Sequence, residues 1–199
     1  WGGRKRALSN PPFSISFPAS RTPFVLDICL GTVAWNKIYM LGAEGKSLPQ
    51  GWAWDAQGRP TTDPQAAGAG GSVVPIGAHK GSSLILAVDF FTGVLSGFAF
   101  AAGVGGLLTG SGNPEEVSCL MMAFDVQKLL GPEVRERAEQ LIAWCKDSPL
   151  AEGASEILMP GEPEERTRAK RLREGIPVAD ADLQALKDAA QRRRVSYPF

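Results

Sequence analysis

Residues 51–64 read GWAWDAQGRPTTDP, a run in which glycine and proline interrupt tryptophan, aspartate and threonine. The run lies inside a longer stretch, residues 43–78, that has a loop-like composition and includes a tract of small residues at 66–72. A connection of this length inside a compact chain usually carries function. We therefore predict a functional loop here, with regular elements on both sides of it.

Two strands and a helix are predicted before this loop. Phe13, Ile15 and Phe17 alternate with serines, a pattern typical of a half-buried strand. Residues 24–29, FVLDIC, are apolar except for Asp27, and they predict a buried strand that places one carboxylate near its end. The apolar positions of residues 31–40 fit a helix, which Gly42 is expected to end.

The segment after the loop combines a turn with a long apolar run. Residues 77–83, GAHKGSS, precede the glycine-rich run 84–108. This order places His79 and Lys80 at the N-terminus of a predicted helix, a natural site for an anion. Asp89 lies within the run, and its insertion into a bilayer would cost roughly 2.5–3.5 kcal/mol. We therefore expect a buried helix in a soluble core, with no membrane span.

The second half of the chain predicts five further elements. They are a buried strand at 117–124, an amphipathic helix at 132–145, a short strand at 157–159, a charged helix at 164–174 and a last helix at 181–194. The last helix ends in three arginines, 192–194, which complement the helix dipole. No aromatic stacking platform accompanies them, so this cluster does not predict nucleic-acid binding.

Composition excludes several classes of function. The 199 residues contain 21 Lys+Arg and 21 Asp+Glu, so the chain has no basic field for nucleic acid or an anionic membrane. The single histidine excludes zinc sites that need a histidine pair within this chain. Three widely spaced cysteines without a CxxC motif favour a reducing cytoplasm.

Two candidate sites lie near the predicted helix and strand ends. Lys80 and the free N–H groups at the helix start could hold a cofactor phosphate, with Gly81 allowing close approach, or His79 and Lys80 could simply surround a helix cap. Asp27 could accept hydrogen bonds from a ribose, or it could cap the following helix. Cys29 is the weaker candidate for a nucleophile, because nothing in the sequence brings the distant His79 to it as a base.

A third candidate is the turn at Pro160, Gly161 and Glu162. It could contact a ligand, although a tight turn followed by acidic residues at a helix N-terminus also explains it. Residues 103–106, GVGG, fail the GxGxxG pattern because position 108 is leucine, so the dinucleotide fingerprint of a Rossmann fold is absent.

Several stretches together resemble the malate/L-lactate dehydrogenase family of NAD(P)H-dependent oxidoreductases, which includes ureidoglycolate dehydrogenase and diketogulonate reductase. The run 51–64 resembles a family signature, and the other matches follow in the family's order. They are NP at 10–11, VLD at 25–27, GAHKG at 77–81, Asp89 with GVLSG at 93–97, PGEPE at 160–164 and GIPV at 175–178.

The resemblance implies an α+β fold with a mainly antiparallel sheet and packed helices, distinct from a Rossmann fold. It also implies NAD or NADP as cofactor, a homodimer or higher assembly, and a 2-oxo acid, 2-hydroxy acid or cyclic imine as substrate. The cofactor contacts that it implies fall on Asp27, Ile28, Cys29, His79, Lys80, Pro160, Gly161 and Glu162. We expect an NAD(P)-binding core over residues 1–150 and a C-terminal part over residues 151–199 that packs back on it.

Family members also carry an N-terminal Ser-His-Gly segment whose histidine is the proposed proton donor, and nothing in the 199 residues matches it. A keto-acid reduction needs such a donor for the developing alkoxide. We therefore expect no catalytic residue in this chain and predict that an N-terminal polypeptide of the same enzyme supplies the histidine. The alternative is a redox-inactive relative that acts as a binding or regulatory subunit, motivated by the departures Ile28-Cys29-Leu30 and Ser82-Ser83.

Overall fold

Two small antiparallel sheets and a set of helices make up the structure, a computed structural model that describes residues 1–104 and 116–197. The strands are β1 (Pro12–Phe17), β2 (Phe24–Cys29), β3 (Ala53–Trp54), β4 (Pro60–Thr61) and β5 (Ser72–Val73). The α-helices are α1 (Trp35–Ala43), α2 (Pro64–Gly68), α3 (His79–Asp89), α4 (Val126–Leu130), α5 (Val134–Lys146), α6 (Glu162–Glu174) and α7 (Asp180–Arg193). The predicted α+β class with antiparallel sheets is confirmed.

The first sheet pairs β1 with β2, from Pro12 opposite Cys29 to Phe17 opposite Phe24. Both strands were predicted, and β2 has the predicted bounds. The prediction that β2 is buried is wrong, because Val25 and Asp27 are exposed. A two-stranded sheet covers at most one face of its strands, so alternate side chains of β2 remain in contact with solvent.

The second sheet, in the order β4-β3-β5, lies within the stretch 43–78. The prediction of a loop over this whole stretch is therefore wrong. Its strands are two residues long, too short for an alternating pattern to be visible in the sequence. A hydrophobic core of five buried residues forms between this stretch and residues 33–38, with Trp35, Leu41, Trp52 and Val73 packed against it. The five are Val33, Ile38, Leu48, Ala53 and Ala67.

The run 51–64 itself builds a hairpin and a helix start. The Asp55 carboxylate accepts hydrogen bonds from the backbone N–H groups of Gln57 at 2.9 Å and Arg59 at 3.0 Å, which close the turn between β3 and β4. These contacts, led by the Arg59 N–H, hold the pKa of Asp55 below its usual value. Asp63 caps α2 by accepting from the N–H of Gln65 at 2.8 Å. Local turn chemistry thus explains the spacing of both aspartates.

Helix α3 begins at His79, as predicted, but the expectation of a buried helix throughout 84–108 is wrong. Its buried positions Gly81, Ser82, Ile85 and Asp89 form one stripe. Beyond α3 the chain forms a π-helical turn, Phe90–Val94, in which both phenylalanines are more than half exposed. Residues 105–108 of the run, including two residues of the GVGG segment, lie outside the described residues.

In the second half of the chain the predicted helices are confirmed and the predicted strands are wrong. Helices α5, α6 and α7 lie within about two residues of their predicted bounds. The predicted strands at 117–124 and 157–159 are irregular in the structure, and Met121 and Phe124 are 85% and 69% exposed. An apolar segment becomes a strand only when a partner strand satisfies its backbone groups, and neither segment has such a partner among the described residues.

The chain forms two compact units, residues 1–141 and 142–199. Helix α1 starts at Trp35, four residues later than expected, after a turn that follows β2.

Within residues 1–104 and 116–197, no helix combines the length and the apolar character that crossing a bilayer requires. The same residues contain no group of three or more metal-ligating side chains.

Candidate functional site

Asp27 lies on β2 with its side chain exposed, opposite Ser14 of β1. The N-cap residue of α1 is Ala34, and no side chain caps this helix. The alternative that Asp27 caps the following helix is therefore wrong. Its carboxylate forms no hydrogen bond or ion pair with another described residue, so its acceptor sites remain available to a ligand.

The end of β2 meets the turn that precedes α3. After Cys29, whose thiol donates to the carbonyl of Gly31 at 3.4 Å, the backbone pairs with residues 74–76. The N–H of Ile76 donates to the carbonyl of Leu30 at 3.0 Å, and the N–H of Thr32 donates to that of Val74 at 2.7 Å. Residues 27–29 and 79–80, some fifty positions apart in sequence, thus flank one pair of backbone segments.

His79 and Lys80 open α3 with exposed side chains. Neither side chain forms a hydrogen bond or ion pair with a described residue, although the rings of His79 and Trp1 lie edge to face with centroids 6.4 Å apart. Within the described chain, the backbone N–H groups of His79 and Gly81 also have no acceptor. A cation and two free N–H groups at a helix N-terminus form a favourable environment for a phosphate oxygen.

Ala78, directly before α3, has φ 58° and ψ −120°. These angles match the second position of a type II′ turn, which glycine normally occupies. The turn is closed by a hydrogen bond from the N–H of Lys80 to the carbonyl of Gly77 at 3.2 Å. An alanine is therefore held in a strained conformation beside the candidate phosphate contacts, and such strain is common at functional sites.

The structure gives a packing reason for the glycine at position 81. This reason differs from the predicted role of Gly81 in allowing a ligand to approach closely. A Cβ atom built on Gly81 would lie 1.9 Å from the carbonyl oxygen of Ile76. The absence of a side chain therefore allows the first turn of α3 to pack directly on the preceding turn. This contact fixes the helix start relative to residues 74–76 and, through them, to the end of β2.

Pro160, Gly161 and Glu162 belong to the second unit, where they start α6. Gly161 is the N-cap, with φ 98°. Oε2 of Glu162 accepts from Lys146 Nζ at 2.8 Å and from the N–H of Met159 at 3.0 Å. Lys146, and next the Met159 N–H, hold the pKa of Glu162 below its usual value. This carboxylate therefore has a structural role of its own in joining α5, the 157–159 segment and α6.

Asp89 is a buried carboxylate that the sequence indicated only as evidence against a membrane span. The structure shows a residue 7% exposed whose Oδ2 atom has no hydrogen-bond partner among the described residues. Burial raises the pKa of Asp89. The sequence feature that could have indicated this buried carboxylate is the position of Asp89 inside an otherwise apolar run.

Comparison with known proteins places this geometry in a family. The family model for malate/L-lactate dehydrogenase matches residues 1–187. The L-sulfolactate dehydrogenase of Methanothermobacter thermautotrophicus is 34% identical over 194 residues, which is 96% of this chain and 54% of the relative. The (2R)-3-sulfolactate dehydrogenase (NADP(+)) of Chromohalobacter salexigens is 40% identical over 63% of this chain and 38% of the relative.

Comparison with solved structures leads to the same family. The malate dehydrogenase of Pyrococcus horikoshii matches with a TM-score of 0.83 and 27% identity, over 98% of this chain and 54% of that one. The Δ1-piperideine-2-carboxylate reductase of Pseudomonas syringae pathovar tomato matches with a TM-score of 0.72 and 28% identity, over 89% of this chain and 52% of that one. The chain has the fold of a dehydrogenase without a Rossmann domain. It belongs to the malate/L-lactate dehydrogenase family. It spans about half the length of relatives that match nearly the whole of it, such as the L-sulfolactate dehydrogenase.

Proposed function

We propose that this chain is the cofactor-binding part of an NAD(P)H-dependent oxidoreductase that reduces a 2-oxo acid to a 2-hydroxy acid, or a cyclic imine to an amino acid. Relatives named as sulfolactate dehydrogenases, a malate dehydrogenase and a cyclic imino-acid reductase support the reaction class. The observation that carries the proposal is the backbone pairing of the segment after β2 with residues 74–76, which lead into α3. Asp27, His79 and Lys80 lie on the two sides of this pairing, and their side chains have no described polar partners.

The chemistry of these groups fits a nicotinamide dinucleotide. Lys80 and the free N–H groups at the start of α3 would hold a phosphate, because a cation and a helix N-terminus both favour an anion. Asp27 would accept hydrogen bonds from ribose hydroxyls, with Ile28 and Cys29 forming the adjacent backbone. Pro160, Gly161 and Glu162 remain proposed contacts from the second unit. When bound, the cofactor supplies the hydride. The proposed cofactor is NAD or NADP.

The reduction also requires a proton, and we assign its donor to the part of the enzyme that the relatives carry beyond the half matched here. This N-terminal polypeptide, with its Ser-His-Gly motif, would complete the active site. His79, the chain's single histidine, is assigned to the cofactor side. The proposal includes a homodimer or higher assembly in the cytoplasm, and an NAD(P)-binding core over residues 1–150 with residues 151–199 packing back on it.

The second candidate function is a redox-inactive subunit that uses the same scaffold for binding. One observation favours it: the hydroxyl of Ser83 donates to the carbonyl of His79 at 2.9 Å. This bond engages the first carbonyl of α3, at the candidate cofactor site. A subunit of this kind would keep the fold of unit 1 and would show weak or no nicotinamide binding.

Fluorescence titration with NADH and NADPH separates the two functions. We expect saturable binding by the folded chain and about tenfold or greater weakening in Lys80→Met, because a charge-assisted hydrogen bond contributes roughly 1.5–3 kcal/mol. Lys37→Met is the matched control, since Lys37 is exposed on α1 and is not among the proposed cofactor contacts. A folded wild-type chain that binds neither nucleotide would refute the oxidoreductase and leave the binding subunit.

The requirement for a further segment that supplies the proton donor has its own test. The natural protein, isolated from its source cells, is analysed by intact mass spectrometry for a segment that contains Ser-His-Gly, either covalently attached or co-purifying. Its presence supports the proposal. A single species with no such segment, together with turnover of a keto acid, would contradict the assignment of the proton donor.

A further inference from the structure

The indole of Trp54 is the part of the run 51–64 that local turn chemistry does not explain. Asp55 closes the hairpin and Asp63 caps α2, whereas Trp54 is only partly buried. The centroid of its ring lies 5.8 Å from that of Trp1, and the two ring planes are tilted by 58°. Two tryptophans that are far apart in sequence thus form one aromatic pair in the first unit.

This pair lies at the start of α3, beside the proposed phosphate contacts. The ring of Trp1 meets the ring of His79 edge to face, with centroids 6.4 Å apart and an angle of 65° between the planes. The backbone nitrogen of Trp1 donates to the hydroxyl of Ser82 at 3.0 Å, which fixes the residue against the first turn of the helix. An indole therefore stands next to the helix end at which a phosphate is proposed to bind.

The backbone that carries Trp54 is firmly held. In the second sheet Trp54 lies opposite Pro60 of β4 on one side and opposite Ser72 of β5 on the other. A Cβ atom on Gly71 would lie 2.1 Å from the carbonyl oxygen of Trp54, so the neighbouring backbone packs directly on it. Trp54 is therefore a fixed support for the ring of Trp1.

The ring of Trp1 has a face that can receive a ligand. Both of its aromatic neighbours are steeply inclined to it, so neither one stacks parallel on a face. Trp1 remains 64% exposed although it contacts Trp54, His79 and Ser82. An exposed indole that is held in place can accept a second flat aromatic ring by offset stacking, which buries apolar area on both rings.

A nicotinamide dinucleotide has the chemistry that fits this arrangement. Each of its two bases is a flat heteroaromatic ring, and one ribose separates each base from a phosphate. A phosphate held by Lys80 and the start of α3 would bring one base within reach of the neighbouring indole. We propose that Trp1 stacks on a base of the cofactor and that Trp54 positions the ring of Trp1. This inference rests on the proposed oxidoreductase function and adds to it a site of base recognition.

NMR of the indole Nε1–H groups in the ¹⁵N-labelled full chain tests the stacking. The chain has five tryptophans, and the Trp1 signal is assigned by its absence from Trp1→Phe. The ligands are NAD⁺, NADP⁺ and two fragments that each carry one base, ADP-ribose and nicotinamide mononucleotide. Ribose 5-phosphate, which has no base, is the matched control.

We expect both dinucleotides to shift the Trp1 signal in a saturable way, because the ring current of a stacked base acts on the indole. Ribose 5-phosphate should leave the signal unchanged. The fragment that reproduces the shift identifies the stacked base as adenine or as nicotinamide. No shift of the Trp1 signal by either dinucleotide or either fragment would overturn the proposal.

Affinities from NADH fluorescence, excited directly, identify the residue responsible. Trp1→Leu should weaken NADH binding at least about fivefold, because the stacking contact is lost. Trp1→Phe keeps a smaller aromatic face and should lie between Trp1→Leu and the wild type. Trp144→Leu is the control, since Trp144 is 81% exposed on α5 and contacts none of the described aromatic rings. Unchanged affinity in a folded Trp1→Leu chain would overturn the proposal.

The positioning role of Trp54 has a separate readout. Trp54→Leu should weaken binding of the stacking fragment at least about fivefold while leaving the affinity for ribose 5-phosphate unchanged, since the phosphate contacts lie on α3. Trp54→Phe should restore most of the affinity, because it renews the aromatic contact with Trp1. An equal loss of ribose 5-phosphate binding in Trp54→Leu would indicate general damage to the first unit and would refute the positioning role.

The same titrations separate this inference from the proposed function. Intact NADH binding with the same affinity in Trp1→Leu as in the wild type refutes the stacking alone. A folded wild-type chain that binds neither NADH nor NADPH refutes the oxidoreductase function and the stacking together.

Discussion

Replacing Ala78 with glycine should stabilise the first unit. Ala78 has φ 58° and ψ −120°, a conformation in which an L side chain crowds the backbone and glycine does not. A non-glycine residue in such a region costs about 1–3 kcal/mol, while the greater freedom of glycine in the unfolded chain costs about 0.5–1 kcal/mol. The difference predicts a net gain of about 1 kcal/mol in the free energy of unfolding for Ala78→Gly.

Urea unfolding followed by tryptophan fluorescence measures this gain, and a thermal melt should show a rise of about 2–4 °C for a unit of this size. Ala143→Gly is the matched control, because Ala143 lies exposed within α5, where the same substitution should cost about 1 kcal/mol. The two variants should therefore differ in sign. A loss of stability in Ala78→Gly as large as that in Ala143→Gly would refute the strain argument.

Three other substitutions have defined outcomes. Gly81→Ala should destabilise by more than about 3 kcal/mol in urea unfolding, because its Cβ would lie 1.9 Å from the Ile76 carbonyl oxygen; a change below about 0.5 kcal/mol would contradict the packing. Since the folded pKa of Asp89 is raised, its stabilising contribution is present below about pH 3.8 and is lost as pH rises through the folded pKa. The free energy of unfolding of the wild type relative to Asp89→Asn should therefore fall as pH increases above 3.8, and parallel pH profiles would show that burial of this carboxylate is unimportant. Glu162→Gln should lower the stability of the second unit by up to about 1 kcal/mol at neutral pH, with the deficit disappearing as pH falls below 4.5, since the pKa of Glu162 is lowered by Lys146; a deficit independent of pH would exclude the ion pair as its cause.

Short sequence patterns correctly predicted several helices and strands whose formation depends on residues near one another in the sequence. The alternation of Phe13, Ile15 and Phe17 identified β1, and a glycine-bounded turn identified the start of α3 at His79. The apolar stripe and the charged first turn likewise identified α5 and α6. For β1 and α5 the pattern spans enough residues to separate a period of two from a period of 3.6.

Non-local structure was beyond these signals. The segment 117–124 is apolar enough for a strand, but hydrophobicity alone does not supply the partner that a strand requires. The sheet β4-β3-β5 is built from two-residue strands, which have no measurable period. The exposure of Phe90 and Leu95 depends on what covers a helix face, and composition does not contain that information.

The candidate site was predictable as residue types and unpredictable as geometry. Asp27, His79 and Lys80 were found from turn and strand ends and from the family resemblance. The placement of these residues on the two sides of one backbone pairing depends on the hydrogen bond between Ile76 and Leu30, which joins segments far apart in sequence.

The contact between Gly81 and the Ile76 carbonyl also sets a rule for chimaeric enzymes. Loop exchange between relatives would ordinarily treat the turn at 75–78 and the helix from 79 onward as separate modules. Here the peptide oxygen of one module occupies the space where a side chain of the other would stand. An exchange that leaves any side chain at position 81 therefore creates a collision, so residues 74–81 have to be transplanted together as one cassette.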